Sequence, residues 1–467
     1  ETAPVAHAVP HGLLDEIDSA LRELVTSGVS DAPQALIERL RRLDARLRAE
    51  GLIWPADTLA EIVQHHAAYT AHDARFTPSL LAALVGEVCA RLDAIRANTG
   101  AVPQLFVRGS PSDRETPIGT ARLIGLGCDV RIHRGGVELA AYLQDADSGA
   151  LVVVRRAVAE PEDAAPASIP FWQLAQPLVV KGAGIAALGG GQVLIKGGKR
   201  LPNGAFLPGR AQLSLNQQAY AWESLRAPVL AEDFAELTAR IAAQPPTALR
   251  PRRLTDGLYV CAVAHVEHAA FDPAAQVVRA VVVDSAGRRG VLVHPYTTRG
   301  KAGAEAMLAV LADRPGDLRF VAGHVRLSAQ GLMIAPTALV FQDGTTRIGL
   351  LPWVAREQAS TAHTATHVTG NGVQHNLFAD YWVQVGDALG DLLVVGVQRA
   401  DDRQAQRWRA LAHHGAAIGF GQTLRPVEQL AHELEAQART VRWNSTLAAQ
   451  VILELACLCL FVDEIVV

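Results

Sequence analysis

The sequence predicts an α+β multidomain protein, with two five-stranded β modules in the middle of the chain and helical domains at its N- and C-terminal ends. Three observations predict it. Apolar residues recur at helical spacing before about Asn98 and again after about Leu377, whereas between them the pattern switches to period two, first at Thr120 and again at Leu258. The third is an internal echo. Arg319–Phe341, RFVAGHVRLSAQGLMIAPTALVF, reads as a hairpin around Gln330-Gly331 with a bulge at Gly323. Upstream, Gln192–Leu213 matches it, with Gly197, Arg200-Leu201, Gly204 and Ala211 facing Gly323, Arg326-Leu327, Gly331 and Ala338 across a one-residue gap. One β module is therefore expected twice. The boundaries that follow are 1–112 (helical), 113–247 (first module with a trailing helix), 248–352 (second module) and 353–467 (helical).

The helical ends read in order. Leu13, Leu14, Ile17, Leu21 and Leu24, then Leu36, Leu40, Leu43 and Leu47, mark two helices. Asp31 before Ala32-Pro33 is placed as the N-cap of the second. Two more helices are expected at about 55–71 and 78–98, and a short entry strand at Leu105–Val107. At the other end, helices are expected at about 377–389, 402–416, 426–439 and 445–461. The last contains the longest apolar run, Leu447–Val462. Glu454 interrupts that run, which points to a buried helix and not a membrane span.

In the first module, ARLIGLGCDVRI, VELAAYLQD and ALVVVRRAV are three strands, followed by a helix at Phe171–Ala187 and then the hairpin. In the second, LYVCAVAHVEHAAF, QVVRAVVVDS and RGVLVHPYT repeat the order, with a helix at Ala302–Ala312 before the closing hairpin. The turn Asp147-Ser148-Gly149 has its counterpart in Asp284-Ser285-Ala286-Gly287. A helix at Ala231–Ala243 and a proline-rich linker at 244–253 join the copies.

Composition bounds the function. Of 467 residues, 49% are hydrophobic and 19% charged, as in ordinary globular proteins. The opening residues ETAPVAHAVPHG lack a secretory pattern and read as a flexible lead. Five cysteines in apolar contexts, without CxxC spacing, read as reduced thiols of a cytoplasmic protein. The net charge of −4 argues against a protein dominated by phosphate binding. Yet both β modules carry slightly more Lys and Arg than Asp and Glu, and all four lysines, Lys181, Lys196, Lys199 and Lys301, lie within them.

Five strands with a helix between the third and fourth, and the hairpin motif of RFVAGHVRLSAQGLMI, resemble tandem OB-fold domains of the nucleic-acid-binding type. The resemblance implies two OB-like five-stranded β-barrels and a ligand face on strands two and three with the adjoining loops. Residues of that implied face are Arg131, His133, Tyr142, Arg155, Arg156, Lys196, Lys199 and Arg200 in the first copy. In the second they are His268, Arg279, Arg288, Arg289, His294, Tyr296, Arg299, Arg319 and Arg326. Cations would meet phosphates, and the two tyrosines would stack on bases.

No catalytic or cofactor motif accompanies this face. His363 and His367 have an i, i+4 spacing near His375, but no Glu follows the first, so loop histidines are the plainer reading than zinc ligands. Gly125-Leu126-Gly127 and Gly189-Gly190-Gly191 do not build a GxxxxGK loop and read as turn glycines. The expected function is a noncatalytic subunit of a larger assembly that binds single-stranded DNA or RNA, or a protein partner, through the barrels. A pure protein scaffold is the alternative, and a hydrolase with an unrecognised site the remaining one. No cofactor, metal or membrane is expected.

Overall fold

The computed structural model describes residues 9–466, apart from 74–75, 100–102, 112–113, 134–135, 160–168, 181, 217–219, 329–330, 357–376, 440–442 and 444. The chain divides into two units. Glu1–Pro111, Pro245–Pro251 and Val373–Val467 form a helical unit, and Ser112–Gln244 with Arg252–Gly372 form a β-rich one.

The helical unit is built from α1 (His11–Ser27), α2 (Gln34–Ala49), α3 (Ile53–Thr70), α4 (Pro78–Ala97), α5 (Leu377–Val395), α6 (Asp402–Ala417), α7 (Arg425–Arg439) and α8 (Ser445–Val466). Where the sequence pattern separates an N-terminal from a C-terminal helical domain, both sets of helices line one core. Leu14, Ile17, Leu40 and Val85 from the first set share it with Tyr381, Trp408, Leu430 and Ile452 from the second. α8 meets the length and apolarity of a membrane span over Ser445–Val462, with a mean hydropathy of 2.0, and Val451, Ile452, Leu455 and Ala456 are buried in this core. Two local expectations change. α2 starts at Gln34 after Pro33, because Asp31 sits in a 3-10 turn and pairs with Arg399 instead of capping the helix. Leu105–Val107 falls in a helical turn, Gln104–Arg108, that starts directly after Pro103.

The first sheet of the β-rich unit contains β1 (Thr120–His133), β2 (Gly136–Asp145), β3 (Leu151–Ala159), β4 (Gln192–Lys196) and β5 (Gln212–Asn216), in the order β5-β4-β1-β2-β3. The expected helix at 171–187 is split into Phe171–Leu174 and Ile185–Gly190 by a small hairpin, Leu178–Val180 with Ala183–Gly184. Pro177 lacks an amide donor, and Gly182, at φ 103°, turns the chain. The hairpin that echoes the second module is likewise cut short. Gly197, Gly198, Gly204 and Gly209 all take positive φ, and Pro202 and Pro208 cannot donate to a ladder. What remains is a five-residue β4, a five-residue β5, and a small sheet of Thr116–Pro117, Lys199–Arg200 and Phe206–Leu207. β3 and β5 end the strand order without pairing to each other, so this sheet is open.

The second sheet contains β6 (Leu258–Ala262), β7 (His265–Asp272), β8 (Val277–Val283), β9 (Arg289–Pro295), β10 (Leu318–Ser328), β11 (Gly331–Asp343) and β12 (Thr346–Leu350). Its order is Leu230–Ala231, β6, β10, β11, β9, β8, β7, with β12 on β11. β6 and β7 are consecutive halves of one segment, and β9 pairs in parallel with β11 through Gly290–Leu332 and Leu292–Ile334. The helix Lys301–Asp313 stands between β9 and β10, and the β10–β11 register slips between Ala322 and Gly323, where the sequence places a bulge.

The two sheets share an apolar seam of Ile124, Leu126, Tyr142 and Val153 against Leu258, Val260, Phe320, Ala338 and Val340. Here Gly125 and Gly127 are not turn residues. The β1–β2 register slips between Gly125 and Cys128, and Gly127, at φ 108°, aims its Cα at β11, where a Cβ would lie 2.4 Å from the Thr337 carbonyl oxygen. Thr337 Oγ1 donates to the Leu126 carbonyl at 2.7 Å. On the other side, Gly125 and Gly189 let the helix Ile185–Gly190 lie directly on β1. Gly127→Ala should therefore destabilise the β-rich unit by roughly 3 kcal/mol, combining strained φ with overpacking against backbone. Thr337→Val should cost about 1–2 kcal/mol by orphaning a buried carbonyl. Urea unfolding of both variants is the measurement, and a Gly127→Ala variant within about 0.5 kcal/mol of the parent would refute the seam's role.

Candidate binding faces

Most of the cations expected on a ligand face have acidic or backbone partners. Arg131 lies 3.7 Å from Asp129, Arg155 3.3 Å from Glu138, Arg279 3.6 Å from Asp272 and Arg289 2.8 Å from Glu267. Lys199 pairs with Glu115, and Arg288 with Asp233. Arg156 donates to the Leu174 carbonyl at 2.8 Å and Arg319 to the Gly316 carbonyl at 2.7 Å. Arg326 reaches Met333 Sδ at 3.1 Å. Arg299 stacks 4.9 Å over the Phe171 ring and donates to the Ile169 carbonyl, so it holds the 169–171 segment. Each pair is weak as a source of stability, but the carboxylate partners offset much of the charge of the stripe. Lys196 and Arg200 alone of the expected cations have no side-chain ion pair or hydrogen bond among the described residues.

The expected aromatic platform is absent from the surface. Tyr142 is 1% exposed, within the seam between the sheets, and burial raises its hydroxyl pKa. Its ring packs edge-on against His324 at 5.1 Å. Tyr296 is half-buried against Phe271 and donates to Glu305 at 3.0 Å. A tyrosine on a period-two strand faces either side, and Tyr142 turned toward apolar neighbours, while Tyr296 lies just past the end of β9. The His133 side chain, and His363, His367 and His375, lie outside the described residues. Among the described residues no cluster of three or more His, Cys, Asp or Glu side chains could hold a metal.

Two faces emerge in place of the expected one. On the outer side of β7–β8–β9 the register makes three rungs: Asp272–Val277–Pro295, Ala270–Arg279–Val293 and His268–Val281–Val291. The four valines are half-exposed, and the cation among them, Arg279, is matched by Asp272. The sequence already carried the signal, since VVRAVVV alternates inner Val278, Ala280 and Val282 with outer Val277, Arg279 and Val281. The second face is the outer side of β1–β4–β5, where Thr120, Lys196 and Gln212 form one rung and Arg122, Leu194 and Ser214 the next. Arg122 was not among the expected residues, and it is exposed beside Leu194, itself 52% exposed.

Two histidines of the second module are buried. His294 is 1% exposed, packs edge-on against Trp353 at 4.7 Å, and has no hydrogen-bond partner for either ring nitrogen. Burial lowers its pKa to about 4. His324 donates from Nδ1 to the Asp256 carbonyl at 3.1 Å, and burial lowers its pKa as well.

These features define a protein with a helical unit and, in its second β module, an OB-fold domain. Residues 10–109 match the model of the YehQ four-helical bundle domain, and residues 255–371 match that of the YehQ C-terminal OB-fold domain. The chain is similar to Protein YehQ of Escherichia coli (strain K12), with 28% identity over 335 residues that cover 66% of this chain and 53% of that protein. It thus spans about half the length of that relative. A solved structure, the Ifi202 HINa domain in complex with 20bp dsDNA, aligns with 51% of this chain and all of its own at 9% identity and a TM-score of 0.24, too low to bear on function.

The depressed histidines set a pH dependence. Unfolded, each histidine takes up a proton near pH 6.5, whereas folded His294 resists until about pH 4. The unfolded state therefore binds more protons in that window, and stability falls as pH drops through it. His294 alone should remove about 1.4 kcal/mol per pH unit below about 6. Urea unfolding at a series of pH values should show this slope reduced in His294→Leu, and an unchanged slope would remove His294 as its source.

Proposed function

We propose that this chain is a noncatalytic binding subunit that docks a protein partner through the outer face of β7–β8–β9. The observation that carries the reading is the valine face itself, whose guanidiniums, Arg279 and Arg289, are already matched by Asp272 and Glu267. Half-exposed aliphatic rungs without free charge suit the desolvated centre of a protein interface. A single strand of nucleic acid would use free cations and stacking rings there. We also read the first sheet as an open copy of the same module. Its order β5-β4-β1-β2-β3, with helices between the third and fourth strands, is what remains when third and fifth strands do not pair.

The test is a paired one. Val281→Glu with Val293→Glu places two charges on the face at a stability cost of about 1 kcal/mol. Tagged parent and variant, recovered from the native host and compared by quantitative mass spectrometry, should differ by the loss of specific co-purifying proteins from the variant. Identical protein sets would refute docking through this face.

A second reading rests on Arg122, Lys196 and Arg200, cations on and beside the first sheet that have no ion pair among the described residues. If labelled oligo(dT) or oligo(rU) binds in low salt, the double variant Arg122→Ala, Lys196→Ala should flatten the log-log salt slope by about 1.4, at about 0.7 per phosphate contact. Absence of salt-sensitive binding by the parent would end this reading and leave docking untouched.

A further inference from the structure

Two of the five cysteines come from distant parts of the chain and meet within the helical unit. At Gly86 the backbones of α4 and α8 touch: a Cβ there would stand 2.3 Å from the Ala456 carbonyl oxygen. Glycine is what permits the approach. The next residue of α8, Cys457, reaches over this contact, and its thiol donates to the Gly86 carbonyl at 3.4 Å. Cys89 lies three residues further along α4, hence on the same helix face as Gly86, and its thiol neighbours that of Cys457. Cys89 is buried, whereas Cys457 is only partly buried.

We propose that Cys89 and Cys457 form an oxidisable dithiol, converted by a disulfide oxidant such as oxidised glutathione into a covalent staple between α4 and α8. The Cys457 thiolate attacks one glutathione sulfur, forming a mixed disulfide and expelling the other glutathione as a thiolate that takes up the proton Cys457 gave away. The Cys89 thiolate then attacks the Cys457 sulfur, and the second glutathione departs with the proton from Cys89. Two protein thiols are oxidised and one glutathione disulfide is reduced to two thiols. The neighbouring thiol and burial hold the Cys89 pKa well above the usual cysteine range, so the second step is slow and accelerates with pH. The staple would join segments about as far apart as Gly86 and Cys457, 371 positions, and so constrain the unfolded chain.

The full chain, treated with oxidised glutathione at about pH 8.5, is assayed by thiol counting under denaturing conditions and by peptide mass spectrometry. The expected result is loss of two thiols of the five, a linked Cys89–Cys457 peptide, faster migration on a non-reducing gel and a higher Tm, all reversed by dithiothreitol. Cys89→Ser should stop at a glutathione adduct on Cys457, and Cys459→Ser should behave as the parent. Cys128 and Cys261, fully buried in the other unit, should stay reduced. Five free thiols under conditions that fully oxidise a reference dithiol peptide, a bond mapped to Cys459, or a persistent Cys457 adduct in the parent would each overturn the proposal.

Discussion

The β-rich unit depends on a backbone contact that a side chain would forbid. At Gly127 the first strand of one sheet presses its bulge against Thr337 in the central hairpin of the other, and the threonine hydroxyl satisfies the carbonyl the bulge leaves behind. Interiors tolerate little change in volume, so such an approach fixes the position of both strands at once. The apolar seam then follows. Ile124 and Leu126 flank the bulge, and Phe320, Ala338 and Val340 flank its receiver, so burial on either side reinforces the contact. Gly125 and Gly189 make the same arrangement on the opposite side of β1, and the strand is clamped between a helix and a sheet.

Periodicity made the elements legible, and glycine chemistry hid the contacts. The strands β1, β2, β3 and β8 lie within about two residues of their sequence positions because alternation reports which side chains are buried. Gly127 was open to misreading, since positive φ serves turns and bulges alike, and only the partner strand tells them apart. The same holds for the echo between the hairpins. Gly323 supports a bulge in an eleven-residue strand, while Gly197 and Gly198, followed by Pro202 and Pro208, break its counterpart into short pieces. Matching residues did not produce matching strands, because prolines between them remove the donors that a long ladder needs.

The binding face shows a different limit. Arginines were read along the chain as a positive stripe, yet Glu138, Asp272 and Glu267 on other strands lie within ion-pair reach of Arg155, Arg279 and Arg289. Net charge in a window does not report cross-strand pairing, which sets the field a ligand meets. Tyr142 illustrates the same point for aromatics. Its neighbours in sequence, Ala141 and Leu143, are also buried, since β2 is covered on both sides, and a strand covered twice has no outward face on which to display a ring.

The helical unit raises the question of how a core made from both chain ends assembles. Its first four helices are separated from its last four by the whole β-rich segment, yet Leu14, Val85, Tyr381 and Ile452 lie in one cluster. Closing so long a loop is less forbidding than its length implies, because the entropic cost grows only logarithmically, by about 0.6 kcal/mol per doubling. A β-rich unit that folds first shortens the effective loop further, since it replaces flexible chain with a folded body. Contact order is high all the same, so loop closure has to be met before the docking of α8 on α4 repays it. The Gly86–Ala456 contact, dependent on a missing side chain and not on apolar area, gives that docking a defined register. Helices that meet through a stripe of leucines can slide by a turn; helices that meet backbone to backbone at one glycine cannot.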